Sequence, residues 1–179
     1  GVSPAEVSGF EALTGAGAKG LVQGQAWYVG NPKLFEGQGA DLSAVQTQVA
    51  RLQEEGKTVV LIGNTTGIRG LLALQDRIRA EAKQVIAALH ALGLRTVMLT
   101  GDNARTAQAF ARMLGIDDVR AELKPDDKVR AVGQLECEHG AVLMVGDGVN
   151  DAPALAAATC GVAMGVAGSD AAIEAADIA

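Results

Sequence analysis

The sequence predicts an α/β protein with a mostly parallel sheet flanked by helices, together with a small α+β unit at its amino-terminal end. From position 71 onward, short apolar runs alternate with helical segments of about 10–15 residues, the pattern of βαβ units. Aromatic residues make up only 3% of the chain while small apolar residues dominate, so that helices can lie close to a sheet. Polar motifs follow three of the apolar runs, where such sheets bind ligands.

Composition excludes several classes of protein. The 179 residues suffice for one medium domain or two small ones. A net charge of −6, without a Lys/Arg cluster, argues against a nucleic-acid partner. Cys137 and Cys160 form no metal-binding spacing, which favours a reduced, cytosolic environment. The uncharged run 152–169 contains Pro153 and several glycines, so it is too weakly apolar to predict a membrane span.

The amino-terminal unit is predicted over residues 1–69. Glycines and Pro4 predict a loop over 1–17, and Gly24-Gln25 predicts a tight turn between two strands. Asp41 is the expected N-cap of a helix with an apolar face. The elements of this unit are strands at 19–23 and 26–29, a helix at 42–55 and a strand at 58–62.

The second unit is predicted over residues 70–179, with the boundary near residue 69. Its strands are expected at 71–74, 96–99, around 119, 141–145 and 162–164. Its helices are expected at 80–92, 103–114, 126–138, 151–158 and 169–176. Neither repeats nor low-complexity segments interrupt this alternation.

The first motif is Thr100-Gly101-Asp102-Asn103, directly after the strand at 96–99. A hydroxyl at a strand end can donate to a phosphoryl oxygen, and the following helix N-terminus adds backbone N–H donors. An ordinary turn with an N-cap explains the same residues equally well.

The second motif is Lys124-Pro125-Asp126-Asp127-Lys128, at the start of the helix over 126–138. A cation in a first helical turn is disfavoured by the helix dipole, so Lys128 is better explained if it faces a phosphate. Taken alone, a solvated surface lysine is the more common case.

The third motif runs from Gly146 to Asp151 after the strand at 141–145. Asp147 and Asp151 supply the one or two carboxylates that Mg²⁺ prefers, and Asn150 can hold the loop. Gly146 permits the sharp backbone turn. A hydroxyl donor, a cation and a metal anchor are the parts that phosphoryl transfer requires.

With these motifs the stretch resembles the haloacid dehalogenase-like superfamily, and within it the phosphorylation domain of P-type ATPases. The resemblance rests on Met98–Asn103, Lys124–Lys128 and Met144–Leu155, with Leu74–Arg79 similar to the segment that enters that domain. In the amino-terminal unit, Phe10–Gly17 and Trp27–Lys33 resemble the nucleotide-binding domain of the heavy-metal transporters. Met164–Asp170 with Ile173–Asp177 is more similar to the zinc, cadmium and cobalt branch than to the copper branch.

The resemblance implies roles for the motif residues in an ATP-driven heavy-metal exporter. Thr100, Lys128 and Asp147 would be catalytic, and Asp147 and Asp151 would bind Mg²⁺. Gly15, Gly17 and Asp102 would contact ATP, with Gly101, Asn150, Asp76 and Arg79 in support. The chain would be a cytoplasmic domain of an integral membrane protein whose transmembrane helices bind the transported divalent ion.

The sequence departs from the family by lacking the phosphorylated Asp-Lys-Thr-Gly-Thr segment, the His-Pro pair, the actuator domain and the transmembrane helices. The chain starts without methionine and reads as cut at both ends. In the family the nucleophile strand lies at the centre of the sheet, so neighbouring strands should lose backbone partners. We therefore expect lower stability, rearrangement or pairing between chains, and no phosphoryl transfer by this chain alone.

Three alternatives follow from the same residues. A soluble phosphatase of this superfamily needs a nucleophilic aspartate, and Asp76 after the strand at 71–74 lacks the expected flanking sequence. A non-catalytic nucleotide- or Mg²⁺-binding module would share the binding residues. The G-x-G-x-x-G spacing of Gly15–Gly20 suggests a dinucleotide site, but a loop precedes it and a hairpin follows it.

Overall fold

The amino-terminal half forms a five-stranded antiparallel sheet in chain order, β1 to β5, with two helices. The structure is a computed structural model that describes residues 4–75, 77–147, 149–164 and 170–179. The elements of this half are β1 (Ser8–Leu13), β2 (Gly17–Val22), β3 (Gln25–Gly30), α1 (Pro32–Gly37), α2 (Ser43–Glu54), β4 (Thr58–Asn64) and β5 (Gly67–Leu74).

Strand β1 corrects the expectation that residues 1–17 form a loop. It pairs with β2 through an irregular register between Ser8 and Glu11, and Gly9 adopts a φ of +57° beside that irregularity. The side chains of this edge strand are largely exposed, with Phe10 at 71%. An exposed strand with a bulge lacks the apolar alternation by which a strand is recognised in a sequence.

Strand β5 extends the amino-terminal sheet beyond the predicted boundary. The boundary near residue 69 lies inside β5, and the run 71–74 pairs antiparallel with β4 instead of beginning a second sheet. Asn64 closes the β4–β5 turn, where its Oδ1 accepts from the amide and the hydroxyl of Thr66. The division of the chain into two domains remains a prediction.

Helices α1 and α2 cover one face of this sheet and enclose its core. Phe35 of α1 is 2% exposed and meets Tyr28 of β3 edge-on, with ring centroids 6.4 Å apart. The buried residues of this core are Leu34, Phe35, Val49, Leu52, Val59 and Leu61. The prediction that Asp41 is the N-cap of this helix was wrong by one residue, because α2 begins at Ser43 and Leu42 takes the cap position; Asp41 still accepts from the Ser43 amide at 2.8 Å.

The second half alternates strands and helices as the sequence predicts. Each predicted helix is present, with ends within about two residues of the expected ones. Its elements are α3 (Ala82–Ala91), β6 (Val97–Leu99), α4 (Ala104–Leu114), β7 (Asp118–Arg120), α5 (Pro125–His139), β8 (Leu143–Gly146), a 3-10 helix (Val149–Asp151), α6 (Ala152–Ala157), β9 (Cys160–Ala163) and α7 (Asp170–Ala175).

The strands of this half form two separate parallel pairs, β6 with β7 and β8 with β9. The expectation of one mostly parallel sheet was therefore wrong for the described residues, where the largest sheet is the antiparallel one. Alternation of elements predicts strands but not their partners, and no strand among the described residues joins β6 to β8.

A second core lies beneath β8 and β9. Its buried residues are Val132, Met144, Ala154, Leu155, Ala163 and Ala172. The described part of the uncharged run at 152–169 forms the short helix α6 and then the strand β9. Within the described ranges, the structure contains no helix of the length and hydropathy needed to cross a membrane.

Candidate phosphoryl and nucleotide site

Thr100 lies at the carboxyl end of β6 in a turn that its own side chain helps to close. The Thr100 hydroxyl donates to Asp102 Oδ2 at 3.0 Å and accepts from the Asp102 amide at 3.1 Å. Asn103 caps α4, because its Oδ1 accepts from the Arg105 amide at 2.9 Å. The hydroxyl is thus held at the amino-terminal end of an eleven-residue helix, where backbone N–H groups favour anions.

Gly101 fits this turn because the loop before α5 passes close to it. A Cβ atom at position 101 would lie 3.3 Å from the Leu123 carbonyl oxygen. The Leu123 amide donates to the Thr100 carbonyl at 3.0 Å and so fastens that loop to the turn. The loop leads directly into α5, which carries Lys128.

Helix α5 begins at Pro125, and Asp127 fixes its first turn. The carboxylate of Asp127 accepts from the Lys124 amide at 3.0 Å. This backbone hydrogen bond, assisted by the charge of Arg130, lowers the pKa of Asp127. The first turn is therefore rigid where Lys128 leaves it.

Lys128 points inward and binds Asp151. Its Nζ donates to Asp151 Oδ1 at 2.6 Å, and the two side chains are only 14% and 15% exposed. The alternative of a solvated surface lysine is therefore wrong. The contact joins the second and third motifs in one half-buried site.

The loop after β8 brings Asp151 against the strand end. A Cβ atom at position 146 would lie 2.8 Å from Asp151 Cβ, so the lack of a side chain at Gly146 makes room for this carboxylate. Asp147 and Asn150 are both exposed at the surface of the same loop. Gly148 between them lies outside the described residues.

The carboxylates of this loop fit Mg²⁺ by their chemistry. Mg²⁺ is held in proteins by one or two carboxylates, with waters and substrate oxygens completing the shell. Asp147 is open to solvent, while one oxygen of Asp151 already binds Lys128. No cluster of three or more His, Cys, Asp or Glu residues in the described ranges would form a protein-only metal cage.

Gly15 lies in the turn between β1 and β2, and Gly17 is the first residue of β2; their surroundings differ. Gly17 has a φ of +148°, and a Cβ atom there would meet the Val29 carbonyl oxygen at 2.1 Å. Gly15 has a φ of +69° and open space where a side chain would stand. The β2–β3 pairing therefore requires a glycine at 17, whereas Gly15 is exposed with open space at its Cβ position, and its carbonyl accepts from Asn31 Nδ2.

Arg79, a predicted supporting residue after β5, forms no side-chain hydrogen bond with this site in the described part of the chain. Arg79 is exposed, and its carbonyl accepts from the Ala82 amide ahead of α3. The predicted supporting residue Asp76 lies outside the described residues. Across the described ranges, no hydrogen bond joins the side chains of Thr100 and Lys128, which are linked instead through the loop at Leu123.

Three residues near the site were missed by the sequence interpretation. Asn31 caps α1 and donates through Nδ2 to the Gly15 carbonyl at 3.0 Å, which an asparagine before Pro32 could have signalled. Lys33 and Glu122 form an ion pair at 2.9 Å that joins the two halves of the chain. No local pattern predicts a contact between residues so distant in sequence.

Known proteins match this chain along almost its whole length. A model of the haloacid dehalogenase-like hydrolase family matches residues 3–159. The cadmium-transporting ATPase of Staphylococcus aureus is 48% identical over 180 residues, which take in 99% of this chain and 25% of that protein. The chain therefore spans about a quarter of the length of the curated relatives it matches.

Solved structures match the fold as well as the sequence. A zinc-transporting PIB-type ATPase in the E2.Pi state aligns with a TM-score of 0.62 at 40% identity, over 98% of this chain and 28% of that chain. The catalytic domain of the CPx-ATPase CopB-B aligns with a TM-score of 0.64 at 26% identity. That structure was described for its conformational changes upon nucleotide binding. That alignment covers 99% of this chain and 62% of the other. Since the family model matches residues 3–159, well over half of the sequence, the chain belongs to the haloacid dehalogenase-like hydrolase family.

Proposed function

We propose that the chain is the nucleotide-binding and phosphoryl-handling part of an ATP-driven exporter of heavy-metal cations of the zinc, cadmium and cobalt type. The observation that best supports this function is the half-buried pair of Lys128 and Asp151 at the end of β8. A cation and a carboxylate at a strand end are the parts that neutralise a transferring phosphoryl group. The transmembrane helices that would bind the transported ion, and the transporter's other parts, are proposed from the family and are not described by this chain.

The residues of the three motifs have separate tasks in the proposed site. When a phosphoryl group is bound, Thr100 would turn its hydroxyl proton from Asp102 toward a phosphoryl oxygen, and Lys128, now paired with Asp151, would supply a positive charge to the same group. Asp147 and Asp151 would hold Mg²⁺, and the bound ion would offset the negative charge of the phosphoryl group. Gly101 and Asn150 shape the two loops, and Asp102 orients the Thr100 hydroxyl.

ATP is proposed to bind at the Gly15–Gly17 turn, with its phosphates directed toward Thr100. The phosphoryl acceptor is an aspartate that this sequence does not carry, since Asp76 lacks the flanking residues of the family segment. This chain alone should therefore bind nucleotide without turning it over. Hydrolysis of p-nitrophenyl phosphate that disappears in Asp76→Asn would favour the phosphatase alternative instead.

Replacing Gly15 by alanine should lower ATP affinity on the order of tenfold, equivalent to about 1.4 kcal/mol. The added methyl group would stand where the backbone is open to a ligand, and the positive φ would be strained for alanine. Isothermal titration calorimetry of the 179-residue chain with ATP in the presence of Mg²⁺ measures this change.

Gly24 offers a matched control at the opposite end of β2. It has a φ of +76° and open space around its Cβ position, as Gly15 does. Gly24→Ala should therefore lower the free energy of unfolding by the same amount as Gly15→Ala, about 1 kcal/mol, without changing ATP affinity. If both variants lose ATP affinity equally, or if neither does, the Gly15 turn is not part of the nucleotide site.

A further inference from the structure

The two halves of the chain meet along α4, the helix that begins after the Thr100 turn. Thr106 is 2% exposed and donates through its hydroxyl to the Lys57 carbonyl at 3.1 Å. A Cβ atom at Gly56 would lie 3.1 Å from Met113 Cε, so the α2–β4 turn lies directly against this helix. The amino-terminal half therefore rests on the element that carries the phosphoryl turn.

A second contact between the halves lies beside the predicted site. Lys33 Nζ, from α1, is 2.9 Å from Glu122 Oε2, in the loop between β7 and α5. Glu122 is fixed by its backbone amide, which donates to the Asp102 carbonyl at 2.9 Å. Its other carboxylate oxygen accepts from Asn103 Nδ2 at 3.4 Å.

The backbone of Glu122 adopts a conformation that is unusual for a residue with a side chain. Its φ of +59° lies in the left-handed region, which residues with a Cβ rarely adopt. Such conformations carry an energetic cost and persist where the surroundings fix them, often at clamps around ligands. In this conformation the carboxylate reaches both α4 and α1.

On the other side, α1 ties Lys33 to the Gly15 turn. Asn31, the cap of α1, donates through Nδ2 to the Gly15 carbonyl and through its amide to the Ala16 carbonyl at 2.9 Å. Continuous contacts therefore run from the Gly15 turn through α1 and the ion pair to Asp102. They join the proposed nucleotide turn to the proposed phosphoryl turn.

We propose that Lys33 and Glu122 form a latch that holds the two halves closed, so that both are positioning residues for the nucleotide. The α4 contact supports the closed arrangement at one place, and the latch fixes it next to the site. Breaking the latch would shift the population toward open forms and lower the fraction competent to bind nucleotide across both halves. The expected effect on nucleotide affinity rests on the proposed function, whereas the latch itself does not.

The test measures the distance between the halves and ATP affinity in the same variants. Spin labels at the exposed native Cys137 and at Gln46→Cys, in a Cys160→Ser background, report the distance by pulsed electron resonance. Lys33→Glu should place like charges together and raise the open population about two- to fivefold, and Glu122→Lys should do the same. Lys33→Glu combined with Glu122→Lys should restore the closed distance, and high salt should weaken the latch of the unaltered chain.

A matched control is the ion pair of Lys19 and Glu11, also 2.9 Å apart but lying within the first sheet. Its reversal should leave the distance unchanged. Unaltered distances in both single variants, or no recovery in the double variant, overturn the latch. An opened distance with unchanged ATP affinity overturns the positioning role, whereas failure of the unaltered chain to bind ATP overturns the proposed function and leaves the latch standing.

Discussion

Replacing Lys128 by alanine is expected to lower the free energy of unfolding by about 3 kcal/mol. The variant would leave the Asp151 carboxylate, only 15% exposed, without the lysine that donates to it. A half-buried charge without its partner costs far more than a surface charge. Urea denaturation of the 179-residue chain at pH 7 measures the change.

Two variants separate the loss of the pair from the loss of a lysine. Lys83→Ala removes an exposed lysine from α3 and should change stability by less than about 0.5 kcal/mol. Lys128→Met combined with Asp151→Leu removes both charges and should recover most of the loss, since a buried pair contributes little net stability. If Lys128→Ala costs no more than Lys83→Ala, the buried pair is not a structural element of the folded chain.

The Lys128 contact also revises the reason for expecting a lysine at this position. A cation in the first turn of a helix is disfavoured by the dipole, and the sequence alone suggested a phosphate as its partner. The structure shows that Asp151 supplies the compensating charge within the chain. A phosphate or Mg²⁺ entering the site would therefore rearrange an existing pair rather than fill a place next to a free lysine.

Local patterns predicted most elements because each is encoded by neighbouring residues. Helix α4, for example, has Asn103 as its cap and Gly115 in the left-handed conformation at its end, and both are recognisable signals. The site residues were predictable for a similar reason, since glycine and acidic residues directly follow the apolar strand β8. The contact between Lys128 and Asp151 depends instead on the packing of α5 against the short helices that follow β8, because β7 and β8 belong to separate pairs.

Pairing between strands and contacts between the halves could not be predicted in this way. The run 71–74 is as apolar as a buried parallel strand, yet β5 forms a hairpin with β4 through the turn at Asn64. The strand β1 is too exposed to show an alternating pattern. The latch between Lys33 and Glu122 depends on the relative placement of two units, which no local propensity determines.

Because β6–β7 and β8–β9 form separate pairs, strand edges are left open, and we expect the chain to associate with itself. In the described residues, β8 pairs only with β9, and Leu143 and Val145 on one face of β8 are 61% and 52% exposed. An open strand edge with exposed apolar side chains is a template for pairing with a second chain. Sedimentation velocity should therefore show oligomers that increase with protein concentration.

Val145→Lys should shift the chain to a monomer while changing the free energy of unfolding by less than about 0.5 kcal/mol. A lysine on an edge strand disfavours pairing with another chain, and the exposed side chain at 145 leaves room for it. Val29→Lys is the matched control, because Val29 is 42% exposed on β3, which is paired on both edges. The Val29→Lys variant should form oligomers to the same extent as the unaltered chain.

A monomer that melts cooperatively at high temperature would contradict this expectation. It would mean that β6 and β8 satisfy their edges within one chain, although the resemblance implies a central strand that this sequence lacks. Association unaffected by Val145→Lys would instead place the contact on another surface, such as the open edge of β5. Association lost in Val145→Lys alone would identify β8 as the edge at which the sheet is incomplete.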